Sequence, residues 1–248
     1  MLLHCESEIE AGAEGLVAGW LRPETLDSLV ELNELCLALL AEQAAARGAS
    51  ASLLLRQVAE LWRVLDAAAR RRAAACPYLL LDAGFADPRR WRPVPAPQVG
   101  DAARGDYAAF FTVPAAAEVA RLVFTYAWHL ARSQAAAARL LLGMPAPSAA
   151  LIGHYTLRQV QALAESRQEW LKPRWPARVQ VWRELLLAAA SGEGAALERA
   201  RLRGLTLLAA EARLLPPPRP ERCGAPAEAG GPGLTCPASA APPRRVRF

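Results

Sequence analysis

Lysine is almost missing from this chain. Lys172 is the only one among 248 residues, against 28 arginines, and 55 alanines accompany them. That skew reflects a GC-rich coding sequence, so the preference for Arg over Lys is not by itself a sign of phosphate recognition. The net charge of +5 and the pI near 9.3 permit a nucleic-acid partner without requiring one. Cysteine is sparse and scattered: Cys5, Cys36, Cys76, Cys223 and Cys236 are odd in number and contain no C-x-x-C pair. A structural zinc site needs four converging ligands, commonly with two close in sequence, so none is expected. Cys36 and Cys76 fall in apolar helical contexts and read as buried thiols.

Histidine is equally thin. His4, His129 and His154 lie far apart, with no His-Glu-x-x-His spacing. There is no G-x-S-x-G elbow, no phosphate-binding loop and no dinucleotide fingerprint, and the isolated Gly143, Gly153 and Gly204 read as helix ends or close contacts. The reading is therefore a non-enzymatic protein with no metal and no cofactor. No run approaches eighteen uninterrupted apolar residues, and the opening MLLHCESEIEAG lacks a basic segment followed by a long apolar one. These absences lead to the expectation of a cytoplasmic protein that does not enter a membrane.

What the chain does have is helical pattern. Hydrophobic residues make up 53% of it, and aromatics only 6%, yet seven of those aromatics are Trp. Large anchors are thus set among small residues. Pro23 suits a first helical position for a helix to about Arg47 that is apolar over most of its circumference. Ser50 and Ser52 offer caps for a second helix, SLLLRQVAELWRVL, and a short Arg-rich third helix is stopped by Pro77. An extended or turn-like YLLLDAGFADPRRW closes the unit. Pro93, Pro95, Pro97, Gly100 and Gly105 then mark a connection over 93–113, with Phe110 and Phe111 placed to anchor it. Pro114 opens a long helix whose Val119, Leu122, Val123, Tyr126, Ala127 and Leu130 form one stripe running toward Gly143. Thr156 and Gln159 stand in capping-box spacing ahead of a helix whose Leu157, Val160 and Ala164 share a stripe. A helix over about 177–190 turns Trp182, Leu185, Leu186 and Ala189 to one side. After the Ser191–Gly194 break a last helix runs to about Leu215. The sequence 216–248, rich in Pro, Gly and Ala, reads as disordered.

The two halves read alike. The segment from Leu65 to Phe85 sets over that from Tyr155 to Trp175 without a gap, and each leads to a tryptophan, Trp91 and Trp182. The organisation expected is all-α: a helical module over 1–92, a linker over 93–113, a second module over 114–215 and a tail over 216–248. The two modules would pack as an intrachain pseudo-dimer, ending in a helix-turn-helix-like pair.

Leu142-Gly143, Ala149, Thr156-Leu157, Gln159, Leu163-Ala164-Glu165, Gln168 and Arg174 followed by an aromatic stand in the register of a known family. Over about 95 residues of its second half the chain resembles the flagellar transcriptional activator FlhD. The likeness reaches the first half faintly, through Asn33 and 65–85. It implies a helical dimer, duplex DNA as a partner of the C-terminal helices, and a second regulatory subunit. The length, the N-terminal half and the Pro-rich tail depart from the family's pattern.

The residues placed to contact DNA are Lys172 and Arg174 ahead of the penultimate helix, Arg178 and Arg183 on it, and Arg199 and Arg203 on the last helix, where Thr206 shares their outward strip. Leu197, Leu205 and Leu208 would face inward. Glu184, Glu193, Glu198 and Glu211 dilute the field in the same segment, and ion pairs such as Glu198–Arg201 are the plainer use of these charges. Trp170 is the tryptophan placed to meet a partner; Trp91, Trp175 and Trp182 read as core anchors. The alternative function is a helical adaptor or scaffold that binds only protein.

Overall fold

A computed structural model describes residues 21–47, 52–92 and 109–214. Their regular structure is α-helical apart from one two-residue strand pair and a single 3-10 turn. Helix α1 (Pro23–Arg47) is the axis of the first module. Leu29, Leu32, Cys36, Leu37, Leu39 and Leu40 are all buried along it. Around it pack α2 (Leu53–Gln57), α3 (Ala59–Val64) and α4 (Ala67–Ala74). Asn33 fastens α1 to the end of α4. Its amide donates to the carbonyls of Ala74 (2.9 Å) and Tyr78 (3.0 Å), and its side-chain oxygen accepts from the Leu80 amide at 2.7 Å. A fully buried Asn holding otherwise orphaned backbone groups fixes the path of the chain out of the helix.

The second module repeats the plan. Helix α5 (Ala115–Ser133) is its axis, packed by α6 (Ala135–Leu142), α7 (Ala146–His154) and α8 (Leu157–Ser166). Strand β1 (Leu81–Asp82) pairs antiparallel with β2 (Lys172–Pro173). Two more helices complete the described chain, α9 (Val179–Ser191) and α10 (Gly194–Leu214). They form an antiparallel hairpin around Gly192, whose φ of +71° no β-branched residue would adopt readily.

Several expectations about the helices needed correction. The helix expected across 52–65 breaks at Val58, where the backbone leaves the helical region (φ −110°, ψ 14°) while the side chain is fully buried. The helix opened by Pro114 stops at Ser133: Gln134 takes φ −145° and sends its amide to the Thr25 hydroxyl of α1 at 2.9 Å, so a tertiary bond overrides local propensity. Leu157 leaves the stripe assigned to it and is 45% exposed, whereas Val160 and Ala164 are buried. The segment between Pro145 and His154 also forms a full helix, which Gly-Met-Pro and Pro147 disguised. The 216–248 tail and most of the 93–113 linker lie outside the described residues; of the linker, Phe111 is buried and Phe110 packs against it.

The likeness of the halves appears in their hydrogen bonds. Asp66 caps α4 by accepting from the Ala69 amide (2.6 Å); ninety residues on, Thr156 caps α8 by accepting from the Gln159 amide (3.3 Å). The strand pair matches Asp82 with Lys172, its counterpart ninety residues on, while Leu81 faces Pro173, the arrangement of two like strands crossing antiparallel at a two-fold axis. The Trp91 indole N–H donates to the Gly84 carbonyl (3.1 Å), and the Trp182 indole N–H donates to the Arg174 carbonyl (2.7 Å).

These anchors are exchanged between the modules. Trp91, stacked on Phe85 of the first module, also packs against Phe124 of α5 and against Trp170, and its carbonyl accepts from the Tyr155 hydroxyl. Helix α9 leaves the second module and packs against α2, α3 and α4 of the first. Each module therefore contributes to the other's core, and the described residues form one compact unit.

That shared core carries several ionisable groups away from water. Burial pushes the Cys76 thiol up from 9.0 to about 11, and raises Cys36, Tyr78 and Tyr126 as well. An acid whose folded pKa is raised keeps its proton in the native state after the unfolded chain has lost it. Stability is then full below about pH 8 and falls as pH climbs from about 9 through 11. Cys76 alone accounts for about 2 kcal/mol of that loss. A urea midpoint that is level between about pH 6 and 8 and then declines steadily to about pH 10.5 is the expected outcome; a midpoint unchanged to about pH 10.5 would contradict the burial of these groups.

Candidate nucleic-acid and partner interface

Six cations and one tryptophan were placed at the working surface by sequence, and the structure treats them differently. Lys172 sits on β2 with its ammonium 3.5 Å from the Asp82 carboxylate, directly across the strand pair. Its charge is spent at the seam between the modules, although 40% of the side chain remains exposed.

Arg174 is a correction. It is only 5% exposed and cannot reach a phosphate. Its Nε–H donates to the Leu79 carbonyl at 2.9 Å, and Nη2 donates to the carbonyls of Leu142 (3.0 Å) and Leu81 (3.4 Å). Its own amide donates to the Leu80 carbonyl at 2.7 Å. Burial lowers its pKa, with Asp82, Glu211 and Tyr78 acting in the opposite direction. A guanidinium is the one cation that stays protonated under such desolvation and offers five donors in a fixed fork, so here it joins carbonyls of both modules. Among them is Leu142, the last residue of α6, followed by Gly143 in the left-handed region.

The last helix presents Arg199 and Arg203 outward as expected, but both, and Arg201 between them, face a carboxylate. Arg203 lies 2.5 Å from Glu184 of α9, Arg199 lies 3.7 Å from Glu193, and Arg201 lies 2.5 Å from Glu198. Exposed pairs of this kind contribute about 0–1 kcal/mol each, so they are weak staples that nevertheless cancel most of the local field. Leu197 and Leu208 are buried beneath them, with Leu205 half-buried. Arg178 and Arg183, by contrast, are exposed on α9. Arg178 is the residue just before the first turn of α9, whose other face is spent on the first module.

Trp170 is half-buried in the 3-10 turn Gln168–Trp170. It meets Trp91 edge-on at 5.7 Å and stacks near Phe124 at 6.4 Å. The guanidinium carbons of Arg90 and Arg167 lie 5.9 and 5.7 Å from its ring centre. The indole is thus clasped from inside by aromatics and from outside by cations, which leaves little of it to act as a free hot spot.

Sequence reasoning missed Arg72 and Tyr78. Arg72 caps the end of α9 by donating from Nε to the Ala189 carbonyl (2.8 Å), and its own carbonyl accepts from Arg201 (3.1 Å). The Tyr78 hydroxyl lies so close over Gly204 that a Cβ there would overlap it, so the last helix can approach the first module only because residue 204 is glycine. An Arg-rich run and a lone Tyr give no hint of such contacts.

Among the described residues no three His, Cys, Asp or Glu side chains gather as a metal site, and no helix is long and apolar enough to cross a membrane. No protein-family model, no curated protein and no solved structure matches the chain.

Arg174→Met separates a structural from a nucleic-acid role. The loss of three carbonyl partners at the seam should cost about 2–4 kcal/mol in urea denaturation, with any DNA affinity of the folded fraction unchanged. Loss of DNA affinity at unchanged stability would place the side chain at the nucleic acid after all.

Proposed function

We propose that this chain is a non-enzymatic regulator of transcription in which one polypeptide supplies a helical pair that two subunits would otherwise form. The reading is supported by the like placing of the caps at Asp66 and Thr156, of Asp82 opposite Lys172 and of the Trp91 and Trp182 anchors, taken together with the resemblance of the second half to FlhD. A fused pair fixes the spacing of its two halves, as half-site recognition of duplex DNA requires. Contact with phosphates falls to Arg178 and Arg183 of α9, since Arg174 is buried and Arg199 and Arg203 are neutralised by Glu193 and Glu184. The work of such a protein places it in the cytoplasm.

A second reading, a protein-only adaptor, is favoured by the same neutralisation. With Arg199, Arg201 and Arg203 all paired, little concentrated positive field is left on α10 to hold a polyanion.

Titration of duplex DNA at two salt concentrations distinguishes the readings. A phosphate-contacting protein loses affinity steeply between about 50 and 200 mM salt, and Arg178→Glu with Arg183→Glu should weaken it by at least about tenfold. Arg199→Glu with Arg203→Glu should have the smaller effect. Absence of binding at low salt would select the adaptor.

A further inference from the structure

Charge is unevenly shared among the helices. Helix α1 turns Glu24, Asp27, Glu31 and Glu42 to solvent, with Glu34 half-buried, and none of these carboxylates has an ion pair among the described residues. Helices α4 and α9 are the reverse. The sequence of α4, AAARRRAA, holds three arginines and no acid, and Asp66 ahead of it is spent in capping the Ala69 amide. Helix α9 adds Arg183, with Arg178 just before its first turn. Its one carboxylate, Glu184, already meets Arg203 and Gln180. The two helices pack against each other, so Arg70, Arg71, Arg72, Arg178 and Arg183 gather on one helix pair.

The packing of α4 divides the work among its arginines. Ala69, Ala73 and Ala74 are buried, which leaves Arg70 and Arg71 on the outward side, both exposed. Arg72 is half-buried and belongs to the fold, since its Nε donates to the Ala189 carbonyl and its own carbonyl accepts from Arg201. It also supplies the cation that suits the negative end of a helix. Arg70 and Arg71 have no such contacts. Neither meets a carboxylate among the described residues, whereas Arg199, Arg201 and Arg203 each do. Adjacent like charges repel, and a partner of opposite sign removes that cost. The helix that carries them is held at both ends, by the Asp66 cap and by the Asn33 amide on the Ala74 carbonyl.

We infer that Arg70 and Arg71 contact the phosphates of duplex DNA, extending onto the first module the surface that Arg178 and Arg183 begin on α9. The inference rests on the DNA-binding reading and adds to it a second element, drawn from the other half of the chain. Contact is with the backbone and not with base edges. Recognition helices read bases with their N-terminal residues, and here the N-terminus of α4 is closed by Asp66 while the arginines leave its flank. The exposed residues beside them, Ala67 and Ala75, are small, so the face offers charge without the aromatic anchors of a protein interface. The carboxylates of α1, which also packs against α4, repel a polyanion and limit its footprint to the α4 and α9 side.

Fluorescence anisotropy of the full chain with a labelled duplex of random sequence, over a series of salt concentrations, supplies the test. Each phosphate contact contributes about 0.9 to the slope of log affinity against log salt, so Arg70→Ala with Arg71→Ala should lower that slope by about 1.8 and weaken binding at least about tenfold at low salt. Both side chains are exposed, so the far-UV spectrum and urea midpoint stay those of the parent chain. Arg121→Ala with Arg158→Ala removes the same charge from exposed sites on α5 and α8 and should leave the slope unchanged. A slope indifferent to the α4 substitutions would overturn the inference, and so would an equal fall in both double variants, which would mean diffuse attraction by net charge. If the α4 variant binds like the parent while Arg178→Glu with Arg183→Glu loses affinity, the inference fails and the DNA reading stands. Absence of duplex binding to the parent chain at low salt overturns both. Binding of polyglutamate through Arg70 and Arg71, by a chain that ignores duplex, would give the face to an acidic protein and refute the occupant named here.

Discussion

The Arg174 guanidinium is the point through which the two halves of this fold hold each other. It is a charge taken out of water, which costs several kcal/mol unless its donors are met. They are met by backbone carbonyls at Leu79 and Leu81 in one module and at Leu142 in the other. The arginine also presents its own carbonyl to Trp182, so the cation, the strand pair and the anchor of α9 form one connected network. Its counterpart in the first half is Gly84, which has no side chain but offers its carbonyl to Trp91 in the same way. One buried arginine on an otherwise two-fold plan is enough, because both modules would have to place a cation at the same axis if the plan were perfectly symmetric. Like charges there would repel, whereas Asp82 and Lys172 attract.

Much of this was legible in the sequence, and the exceptions have physical causes. The all-α class, the long apolar α1, the capping box at Thr156 and the burial of Trp91, Trp182, Cys36 and Cys76 arise from period and composition. The breaks at Val58 and Gln134 do not, because they depend on burial and on a hydrogen bond to Thr25, a partner more than a hundred residues away. Arg174 looked like surface because arginine is usually surface. Only the meeting of β1, β2 and α6 shows that unpaired carbonyls need it. The face of Arg199 and Arg203 was placed on the correct side of α10, but helix periodicity could not reveal that Glu184 and Glu193 lie within ion-pair reach.

The same asymmetry that puts arginine on one side of the axis also leaves one module better covered than the other. The first has α9 against its small helices, with α10 approaching through the Tyr78–Gly204 contact. The second has the Trp91 turn and then a proline series.

The central claim is that neither module is complete without the other. Hydrogen exchange of the two indole N–H groups in the intact chain tests it most directly, since Trp91 is bonded at Gly84 and packed on the second module, while Trp182 is bonded at Arg174 on a helix packed against the first. If the modules share a core, both protons exchange only through global unfolding, with the same free energy of opening and the same dependence on urea. Two distinct opening free energies, with one indole released while the other stays protected, would mean that the halves fold separately.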